Sequence, residues 1–508
     1  MDWFKEKLLL QWSISGVLLG IGFVYPSFWF VSLIGGAYFL YLLEREQTRR
    51  SLFLGTWLAW TIKSAMAMVW LWSVYPIDWL PDELGNVQLL IIGGYWLVIS
   101  ICLGCGAVFF VWLAKLLKKY FPNSSISYGL LLPLFWVVGE VVGSTVFSIV
   151  SLGPGGSINS SLSFGYSGYL LAESEWLLPL AKVAGVYGLG FLFAVLSSFI
   201  FHLVRRTTDQ LWKTVSVVLI IFALLGSFLK FNTANNDGHL RSLSVVVIDT
   251  YFPRSLFRSF EGSLLVSQEL AGAMEVALDE NPNYIILPED SRFFNQQQPP
   301  GVVKSFFKFQ YNNPSSVIVD TSRVESQGKT FLQTFIYNGG DKPVEQVQKR
   351  YLVPQGEFLS YLLIWALKAL GYSDALDKVG NDLSYEVGPN TDQSRVASEI
   401  PGVLFCFESV DPLGVKTVMK ERGTIPFIAH PISHSWFHES DILWNQLDIM
   451  LKVQAVWNHQ YIVSAGNHVS GKVINPNGKL LNLDIVEENN MWRVSKIEFL
   501  LPTTVNNQ

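Results

Sequence analysis

Charged side chains are scarce in this chain of 508 residues, since Asp, Glu, Lys and Arg make up 15% of it, against roughly 25% in ordinary soluble domains. Cysteine is scarcer still, and 3 residues exclude a disulfide-rich miniprotein. Basic residues do not exceed acidic ones (36 against 41), which excludes a basic nucleic-acid-binding protein. Apolar residues are abundant instead: they reach 50%, with 35 Phe and 18 Trp, and this excludes a disordered chain.

The scarcity of charge is confined to one half of the chain. The first 235 residues carry 14 basic and 11 acidic side chains, whereas the residues after them carry 22 and 30. We therefore predict a membrane domain over residues 1–235, a soluble domain over 240–502 and a short C-terminal tail over 503–508.

Apolar runs that approach the roughly 20 residues needed to cross a bilayer recur through the first half. Leu8–Leu43 is uncharged and is interrupted at Tyr25-Pro26-Ser27, which predicts a helical hairpin rather than a signal peptide. With the later runs, the pattern predicts about seven transmembrane helices. Those later runs cover residues 52–74, 88–114, 126–150, 179–203 and 212–230.

Basic and acidic residues alternate between successive loops of this half. Lysine and arginine lie before the first predicted helix and after the second, fourth and sixth, whereas two of the intervening loops carry only acidic charges. By the positive-inside rule, the N-terminus lies in the cytoplasm and everything after Lys230 lies outside it. The basic residues are Lys5, Lys7, Arg45, Arg49, Arg50, Lys115, Lys118, Lys119, Arg205, Arg206 and Lys213, and the acidic ones are Asp78, Asp82, Glu83, Glu173 and Glu175.

Two charged residues, Lys63 and Glu140, fall within apolar runs. Charges at membrane depth face a bundle interior or a cavity, so a structural ion pair and a role in lipid binding are both open interpretations. Cys102 and Cys105 form a CxxC pattern that we interpret as small residues for helix packing rather than a redox or metal site. The Gly- and Ser-rich segment Ser151–Glu175 predicts a long outer loop facing the soluble domain.

Short apolar runs alternate with turns and polar helices in the second half, which predicts a layered α/β domain. Hairpin turns are predicted at Asn338-Gly339-Gly340-Asp341 and Asn475-Pro476-Asn477-Gly478. The predicted helices cover residues 261–279 and 447–457. The predicted strands are Ser244–Asp249, Tyr284–Leu287, Ser316–Asp320, Phe331–Tyr337, Val344–Lys349, Val403–Phe407, Tyr461–Ala465 and Lys472–Ile474.

Cys406 is the only cysteine of the second half, so it has no disulfide partner there. An inert buried thiol and a reactive nucleophile are both open from the sequence. A nucleophile needs a base and an electropositive neighbour, and no local spacing identifies either group.

Four segments of the chain resemble motifs of known families. On these motifs the second half resembles the carbon–nitrogen hydrolase (nitrilase) superfamily, and the chain as a whole resembles the apolipoprotein N-acyltransferase family. The resemblance implies a multi-pass α-helical membrane bundle joined to a nitrilase-like αββα sandwich. The motifs are Ile285-Ile286-Leu287-Pro288-Glu289, the Lys349–Glu357 segment KRYLVPQGE, Phe405-Cys406-Phe407-Glu408, and the Ala181–Gly188 segment AKVAGVYG.

The resemblance also implies a chemistry. Glu289 would be the general base, Cys406 the nucleophile that forms an acyl thioester, and Lys349 a group that stabilises the oxyanion and lowers the thiol pKa. Glu357 and Glu408 would be supporting acids. The alternative interpretations are a solvated loop carboxylate for Glu357 and a strand-end ion pair for Glu408.

By the same resemblance, the acyl donor is a phospholipid and the acceptor is the α-amine of an N-terminal diacylglyceryl-cysteine of a lipoprotein. We expect a multi-pass protein of the bacterial inner (plasma) membrane, with its catalytic domain on the periplasmic side. We expect no cofactor, no metal ion and no nucleic-acid partner.

Several positions depart from the family pattern. The segment Ser433–His438 reads SHSWFH in place of the usual NDAWFG, Trp457 stands where an acid is frequent, and Ile248-Asp249-Thr250 replaces the start of a usual QGN motif. The family also usually has a further membrane span after the catalytic domain, and no apolar run of that length follows residue 502. These departures keep two alternatives open: a membrane-anchored amidase or nitrilase-type hydrolase, and a catalytically inactive protein that binds lipid or lipoprotein. A transporter is disfavoured, because no pair of interrupted helices marks an inverted repeat.

Histidines cluster late in the chain, at His430, His434, His438, His459 and His468. Their spacing raises a zinc site, but Pro431 disfavours a helix that would present the first three together. We interpret them as polar loop residues around the site, with one of them as an alternative base for Cys406.

Overall fold

The structure is a computed structural model. It describes residues 2–45, 47–77, 82–121, 125–205, 221, 240–294, 306, 316–326, 328–340, 342–374, 376, 385–388, 399–438 and 440–502.

The first half is a bundle of helices. The longest described helices there are α1 (Asp2–Val24), α2 (Trp29–Glu44), α3 (Arg49–Ala67), α4 (Gln88–Tyr120), α5 (Ser125–Val150) and α7 (Ala181–Arg205). Four segments of the described chain are long and apolar enough to cross a membrane: Pro26–Glu44, Gln88–Tyr120, Leu130–Val150 and Leu178–Arg205. A shorter apolar helix covers Leu8–Val24. The predicted run at 212–230 lies outside the described residues, apart from residue 221.

The predicted helical hairpin is present. Helix α1 ends at Val24, a 3-10 turn covers Pro26–Phe28, and α2 begins at Trp29. Proline initiates this turn because its missing N–H and fixed φ suit the first position of a helix. The two helices pack closely, since a Cβ on Gly35 would lie 2.5 Å from the backbone nitrogen of Leu19.

Small residues bring α4 and α5 into contact. A Cβ on Gly106 would lie 2.1 Å from the carbonyl oxygen of Gly139 in the facing helix. Cys102 is buried and free, and Cys105 is free and half-buried. The Sγ of Cys105 donates to the carbonyl of Ile101 within its own helix at 3.4 Å.

The predicted outer loop differs from the expectation. Residues 151–175 are largely buried, and they contain a short helix, α6 (Ser167–Ala172). The segment does face the second half, because the Oγ of Ser163 donates to the carbonyl of Val410 at 2.5 Å. Gly153 lies against Leu359, so a Cβ there would be 2.3 Å from the Leu359 carbonyl oxygen.

The second half is built on a mixed sheet. Its central strand, β1 (Leu240–Thr250), pairs antiparallel with β12 (Trp492–Pro502) and parallel with β2 (Tyr284–Ile286). The sheet continues through β3 (Val317–Ser326), β4 (Lys329–Asn338) and β5 (Glu345–Gln348). The remaining strands are β6 (Gly402–Val403), β7 (Ile428–Ser433), β8 (Ile462–Asn467), β9 (Lys472–Ile474), β10 (Leu480–Leu481) and β11 (Asp484–Glu488), of which β6 to β10 pair with one another. A single residue pair, Thr250 with Asn467, joins this group to β1.

Alternation along the strands divides the domain into four layers. Val245 and Val247 face a core that also contains Ala429 and Val463 of the second strand group. Val246 lies on the opposite face, against helix α8 (Phe260–Asp279). Because successive side chains of a strand point to opposite faces, each strand group packs the other on one face and helices on its outer face.

The outer helices of the second strand group complete the arrangement. Helix α10 (Gly414–Arg422) and helix α11 (Asp441–Asn458) share a core with Ile428 and Ile462. Between α8 and α10 lies a further short helix, α9 (Tyr361–Ala369). The predicted αββα sandwich, joined to an α-helical membrane bundle, is therefore confirmed.

Helix α11 also connects the two halves of the protein. Its opposite face belongs to one apolar core with the membrane helices. The amide of Gln446 donates to the carbonyls of Phe23 at 3.1 Å and Ala67 at 2.9 Å, and so caps two membrane helices. The sandwich domain is thus held against the bundle at a defined position.

The AGVYG motif lies at this junction. Gly185 has φ +57°, which interrupts helix α7, and a Cβ there would lie 2.1 Å from the ring of Trp457 in α11. Tyr187 packs edge-on against the same ring at 6.0 Å between centroids. Trp457, a departure from the family pattern, is therefore a packing contact for the motif, and only glycine fits at position 185.

Candidate active site

Cys406 begins a short 3-10 helix, Cys406–Val410, with two residues between it and the end of the strand β6. The predicted strand over 403–407 was therefore wrong beyond Val403. The carboxylate of Glu408 ends the strand, because it accepts the backbone N–H of Phe405 at 3.2 Å. The Oγ of Ser409 also donates to the Cys406 carbonyl at 2.5 Å, which stabilises the turn.

Glu408 is buried and does not reach the apolar cavity described below. Besides Phe405, it accepts the backbone N–H of Arg350 at 2.6 Å. The guanidinium of Arg350 lies 3.6 Å from the same carboxylate. Glu408 therefore ties the turn that carries Cys406 to the segment that follows Lys349. These contacts of Glu408 are those of a strand-end ion pair, which was the alternative interpretation from the sequence.

Lys349 lies between two carboxylates. Its Nζ donates to Glu289 Oε1 at 2.9 Å and to Glu357 Oε1 at 2.7 Å. The second oxygen of Glu357 accepts the backbone N–H of Val353 at 2.8 Å. The Lys349 side chain is 1% exposed, so the ion pairs are shielded from water and fix the position of the ammonium group. Glu357 is a buried partner of Lys349 and not a solvated loop carboxylate.

Burial sets the protonation states of these groups. It raises the pKa of Glu289 to about 7; Lys349 opposes this rise and Glu357 adds to it. The pKa of Lys349 is raised, because the attraction of Glu289 and Glu357 outweighs burial. Near neutral pH, Glu289 therefore exchanges protons readily while Lys349 stays charged.

The thiol of Cys406 differs from the expectation. Its pKa is raised, because burial and the negative charge of Glu289 outweigh the lowering effect of Lys349. The Sγ donates to the carbonyl of Ser433 at 3.9 Å, which also requires a proton on sulfur. The resting group is a thiol, and its reaction as a nucleophile needs a base such as Glu289.

An apolar cavity contains the thiol together with the ionic cluster. Glu289, Lys349, Glu357 and Cys406 all line it. Its other walls come from membrane helices, from helix α9 and from the loop at Trp436 and Phe437. These apolar wall residues include Met68, Trp70, Leu71, Ile91, Ile92, Tyr95, Ile99, Leu162, Phe164, Leu363, Leu367, Phe407, Trp436 and Phe437. The arrangement places the Cys406 thiol beside an apolar space that both halves of the protein build.

The SHSWFH segment forms part of this cavity and contacts the membrane domain. Phe437 packs edge-on against Trp70 at 5.5 Å between centroids. The Nε2 of His438 lies 2.9 Å from the carbonyl oxygen of Pro76. The departure from the family motif therefore lies at a docking contact. Ser433 and Trp436 had no individual signal in the sequence beyond this departure.

The late histidines do not converge. His430 is buried, with Nδ1 2.9 Å from Ser464 Oγ, and burial lowers its pKa to about 4. Burial also lowers the pKa of His434, to about 3. Throughout the ranges that the structure describes, no group of three or more His, Cys, Asp or Glu side chains is arranged to hold a metal ion. A neutral imidazole with so low a pKa is a weak base for a thiol whose pKa is raised.

Lys63 and Glu140 form a buried ion pair with 2.8 Å between Nζ and Oε1. The same carboxylate oxygen accepts the backbone N–H of Ser167 at 2.9 Å and its Oγ–H at 2.7 Å. The Nζ of Lys63 also lies 4.4 Å from the ring centroid of Trp60. These contacts fit the structural interpretation, since they fasten helix α6 to the bundle.

Comparison with known proteins agrees with the motif resemblance. Residues 15–199 match the family model of the apolipoprotein N-acyltransferase N-terminal domain. An apolipoprotein N-acyltransferase of Rickettsia prowazekii is 18% identical over 509 residues, which cover 98% of this chain and 92% of that relative. One of Haemophilus ducreyi is 24% identical over 319 residues, covering 60% of this chain and 58% of that relative.

Among solved structures, this chain is similar to Saccharomyces cerevisiae Nit3, a member of branch 10 of the nitrilase superfamily. The two are 14% identical, with a TM-score of 0.34, over 51% of this chain and 90% of Nit3.

Proposed function

We propose that this chain, which resembles apolipoprotein N-acyltransferases along nearly its whole length, moves an acyl chain from a phospholipid to the α-amine of a diacylglyceryl-cysteine at a lipoprotein N-terminus. The observation that carries the proposal is the cavity in which Cys406, Glu289 and Lys349 meet an apolar space at the membrane domain. The apolar walls suit an acyl chain better than a small polar substrate.

The first half of the reaction would acylate the enzyme. Glu289 takes the proton of the Cys406 thiol, and the thiolate attacks the ester carbonyl of the phospholipid. The ammonium of Lys349 stabilises the oxyanion of the tetrahedral intermediate. The intermediate then collapses, the ester C–O bond breaks, and Glu289 returns the proton to the leaving alkoxide. The products are an acyl thioester on Cys406 and a lysophospholipid.

The second half of the reaction would transfer the acyl chain to the acceptor. The α-amine of the acceptor attacks the thioester carbonyl, and Glu289 takes a proton from the attacking nitrogen. The C–S bond breaks and the proton passes to sulfur, which restores the thiol. Splitting the transfer through a thioester replaces one difficult step by two easier ones. Glu357 and Glu408 would support the chemistry by holding Lys349 and the Cys406 turn in place.

The cellular setting follows from the same proposal. This is a bacterial membrane protein, and we infer that it lies in the inner membrane with its catalytic domain on the periplasmic side. The alternation of basic and acidic loops supports that orientation. A reporter fused after residue 502 tests it: periplasmic reporter activity is expected, and activity confined to the cytoplasm would contradict it.

A transfer assay tests the function itself. Purified protein is incubated with phosphatidylethanolamine and a synthetic peptide that begins with diacylglyceryl-cysteine. The proposal predicts that the peptide gains the mass of one acyl chain, and that Cys406→Ser abolishes the gain. Release of free fatty acid with no acylated peptide would support a hydrolase instead. If neither acylated peptide nor free fatty acid forms, the inactive-binder alternative is supported.

A further inference from the structure

A second cavity adjoins the apolar one on the opposite side of the ionic cluster. Glu289, Glu357, Ser433 and Trp436 line both cavities, so they form a shared wall. The thiol and Lys349 line only the apolar cavity, among the lining residues described. The walls of the second cavity are mostly polar and charged: Asp290, Arg292, Arg323, Tyr385, Ser435 and Asn467 contribute to them.

Two arginines in this cavity share one carboxylate. Arg292 donates through Nε to Asp290 Oδ1 at 2.8 Å and through a terminal nitrogen to Oδ2 at 2.7 Å. Arg323 donates through Nε to Oδ2 at 2.9 Å. Burial opposes the ionisation of Asp290, yet the two guanidinium groups hold its pKa below the usual value. The three side chains therefore carry one net positive charge.

The guanidinium groups keep donors free for a ligand. Within the described part of the chain, neither terminal nitrogen of Arg323 has a hydrogen-bond partner. One of the two terminal nitrogens of Arg292 also has no partner there. Their side chains remain 31% and 22% exposed. Rings hold both groups in place, because Arg323 lies 5.2 Å from the ring centroid of Tyr385 and Arg292 lies 4.8 Å from that of Phe257. Preordered guanidinium forks of this kind suit the oxygen atoms of a phosphate.

We propose that the polar cavity binds the phosphate of the phospholipid donor, through Arg292 and Arg323. When the ester carbonyl of the donor lies at Cys406 and its acyl chain fills the apolar cavity, its glycerol points past the residues that line both cavities. The phosphate then enters the cavity that holds the arginines, and Asp290 keeps both guanidinium groups oriented. This inference rests on the proposed function and adds to it the recognition of the donor headgroup.

The experiment compares two acyl donors in detergent micelles of one composition. Phosphatidylglycerol carries the phosphate, and p-nitrophenyl palmitate carries the acyl ester without it. The rate of Cys406 acylation is measured by intact mass against donor concentration for the wild type, Arg292→Gln and Arg323→Lys. Arg241→Gln is the matched control, because Arg241 pairs with Glu399 on the surface.

Arg292→Gln is expected to raise the phosphatidylglycerol concentration that gives half-maximal acylation about tenfold, as one lost charge-assisted contact implies. Its half-maximal concentration for p-nitrophenyl palmitate should stay at the wild-type value. Arg323→Lys keeps the charge but loses the fork, so a smaller increase with phosphatidylglycerol is expected. Arg241→Gln should change neither donor.

Three results separate the possible failures. Equal effects of Arg292→Gln on both donors, or no effect on either, would overturn the phosphate site and leave the proposed function standing. An unchanged acylation rate with slower transfer to the acceptor peptide would overturn it too, and would assign the cavity to the acceptor. No acylation of wild-type Cys406 by either donor would instead overturn the proposed function.

Discussion

Replacing Glu357 with glutamine tests how the ionic cluster sets the pH dependence of the reaction. Glu289 acts as a base only when ionised, and its pKa is raised to about 7 by burial and, in part, by the charge of Glu357. The wild-type acylation rate should therefore rise with pH through about 7 and then level off. Glu357→Gln removes the neighbouring negative charge, so the pKa of Glu289 should fall and the rise should move to lower pH.

The structure sets the size of this shift. One oxygen of each carboxylate lies within 2.9 or 2.7 Å of the same Lys349 nitrogen. The two oxygens are therefore at most about 5.6 Å apart, and with an effective dielectric constant of about 20 their repulsion is about 3 kcal/mol. That energy corresponds to about 2 pKa units. Residual solvent screening reduces it, and we expect about one unit.

The assay is the rate of Cys406 acylation by phosphatidylethanolamine between about pH 5 and pH 9, followed by intact mass. Glutamine retains one carbonyl acceptor but not two, so a lower plateau rate accompanies the shift. Glu386→Gln is the matched control, because it removes one negative charge from an exposed pair with Lys329. If the acylation rate of Glu357→Gln rises over the same pH range as that of the wild type, or over a higher range, the electrostatic coupling of the two carboxylates is refuted.

Two further predictions concern the membrane domain and its junction, and thermal unfolding in detergent measures both. Glu140→Gln leaves the buried Lys63 without its counter-ion and should destabilise the protein by about 3–5 kcal/mol. Glu44→Gln is the control, because Glu44 is exposed and its pair with Arg205 contributes at most about 1 kcal/mol. Equal losses of stability in Glu140→Gln and Glu44→Gln would contradict a structural role for the buried pair. Gly185→Ala should destabilise by about 1–3 kcal/mol, because alanine is strained at φ +57° and contacts Trp457; an unchanged midpoint would show that the close contact is not needed.

Much of the fold could be predicted because local patterns and tertiary packing agree. The run Ser244–Asp249 is apolar on both faces, and the structure buries those faces in two different cores. Strands β4 and β5 pair antiparallel, as the hairpin predicted between them requires. The Pro26 break likewise separates two membrane helices.

The strand over 403–407 was wrong for a physical reason. Apolar residues continue through Phe405, so hydrophobicity alone extends the strand to the cysteine. The strand ends early because the Glu408 carboxylate caps the turn, and that contact is stabilised by Arg350 from a distant segment. Sequence patterns do not encode a partner 58 residues away in the chain.

The residues of the site were also predicted only in part from the sequence. Motif resemblance identified Glu289, Lys349 and Cys406 one at a time, and the structure brings them into one cavity. Arg292 and Arg323 had no signal in the sequence, because they lie on separate elements and meet only through Asp290. The raised thiol pKa also escaped prediction, since burial of Cys406 is a tertiary property that outweighs the nearby lysine.

The acyl thioester on Cys406 is the central claim, and intact-mass spectrometry tests it most directly. Wild-type protein and Cys406→Ser are incubated with phospholipid and no acceptor, and each sample is then divided for treatment with hydroxylamine. The account predicts that the wild type gains one acyl mass, that hydroxylamine removes it, and that the serine variant has no hydroxylamine-labile adduct. A folded wild type that gains no mass from correctly presented phospholipid, or a hydroxylamine-labile adduct that persists in Cys406→Ser, would contradict it.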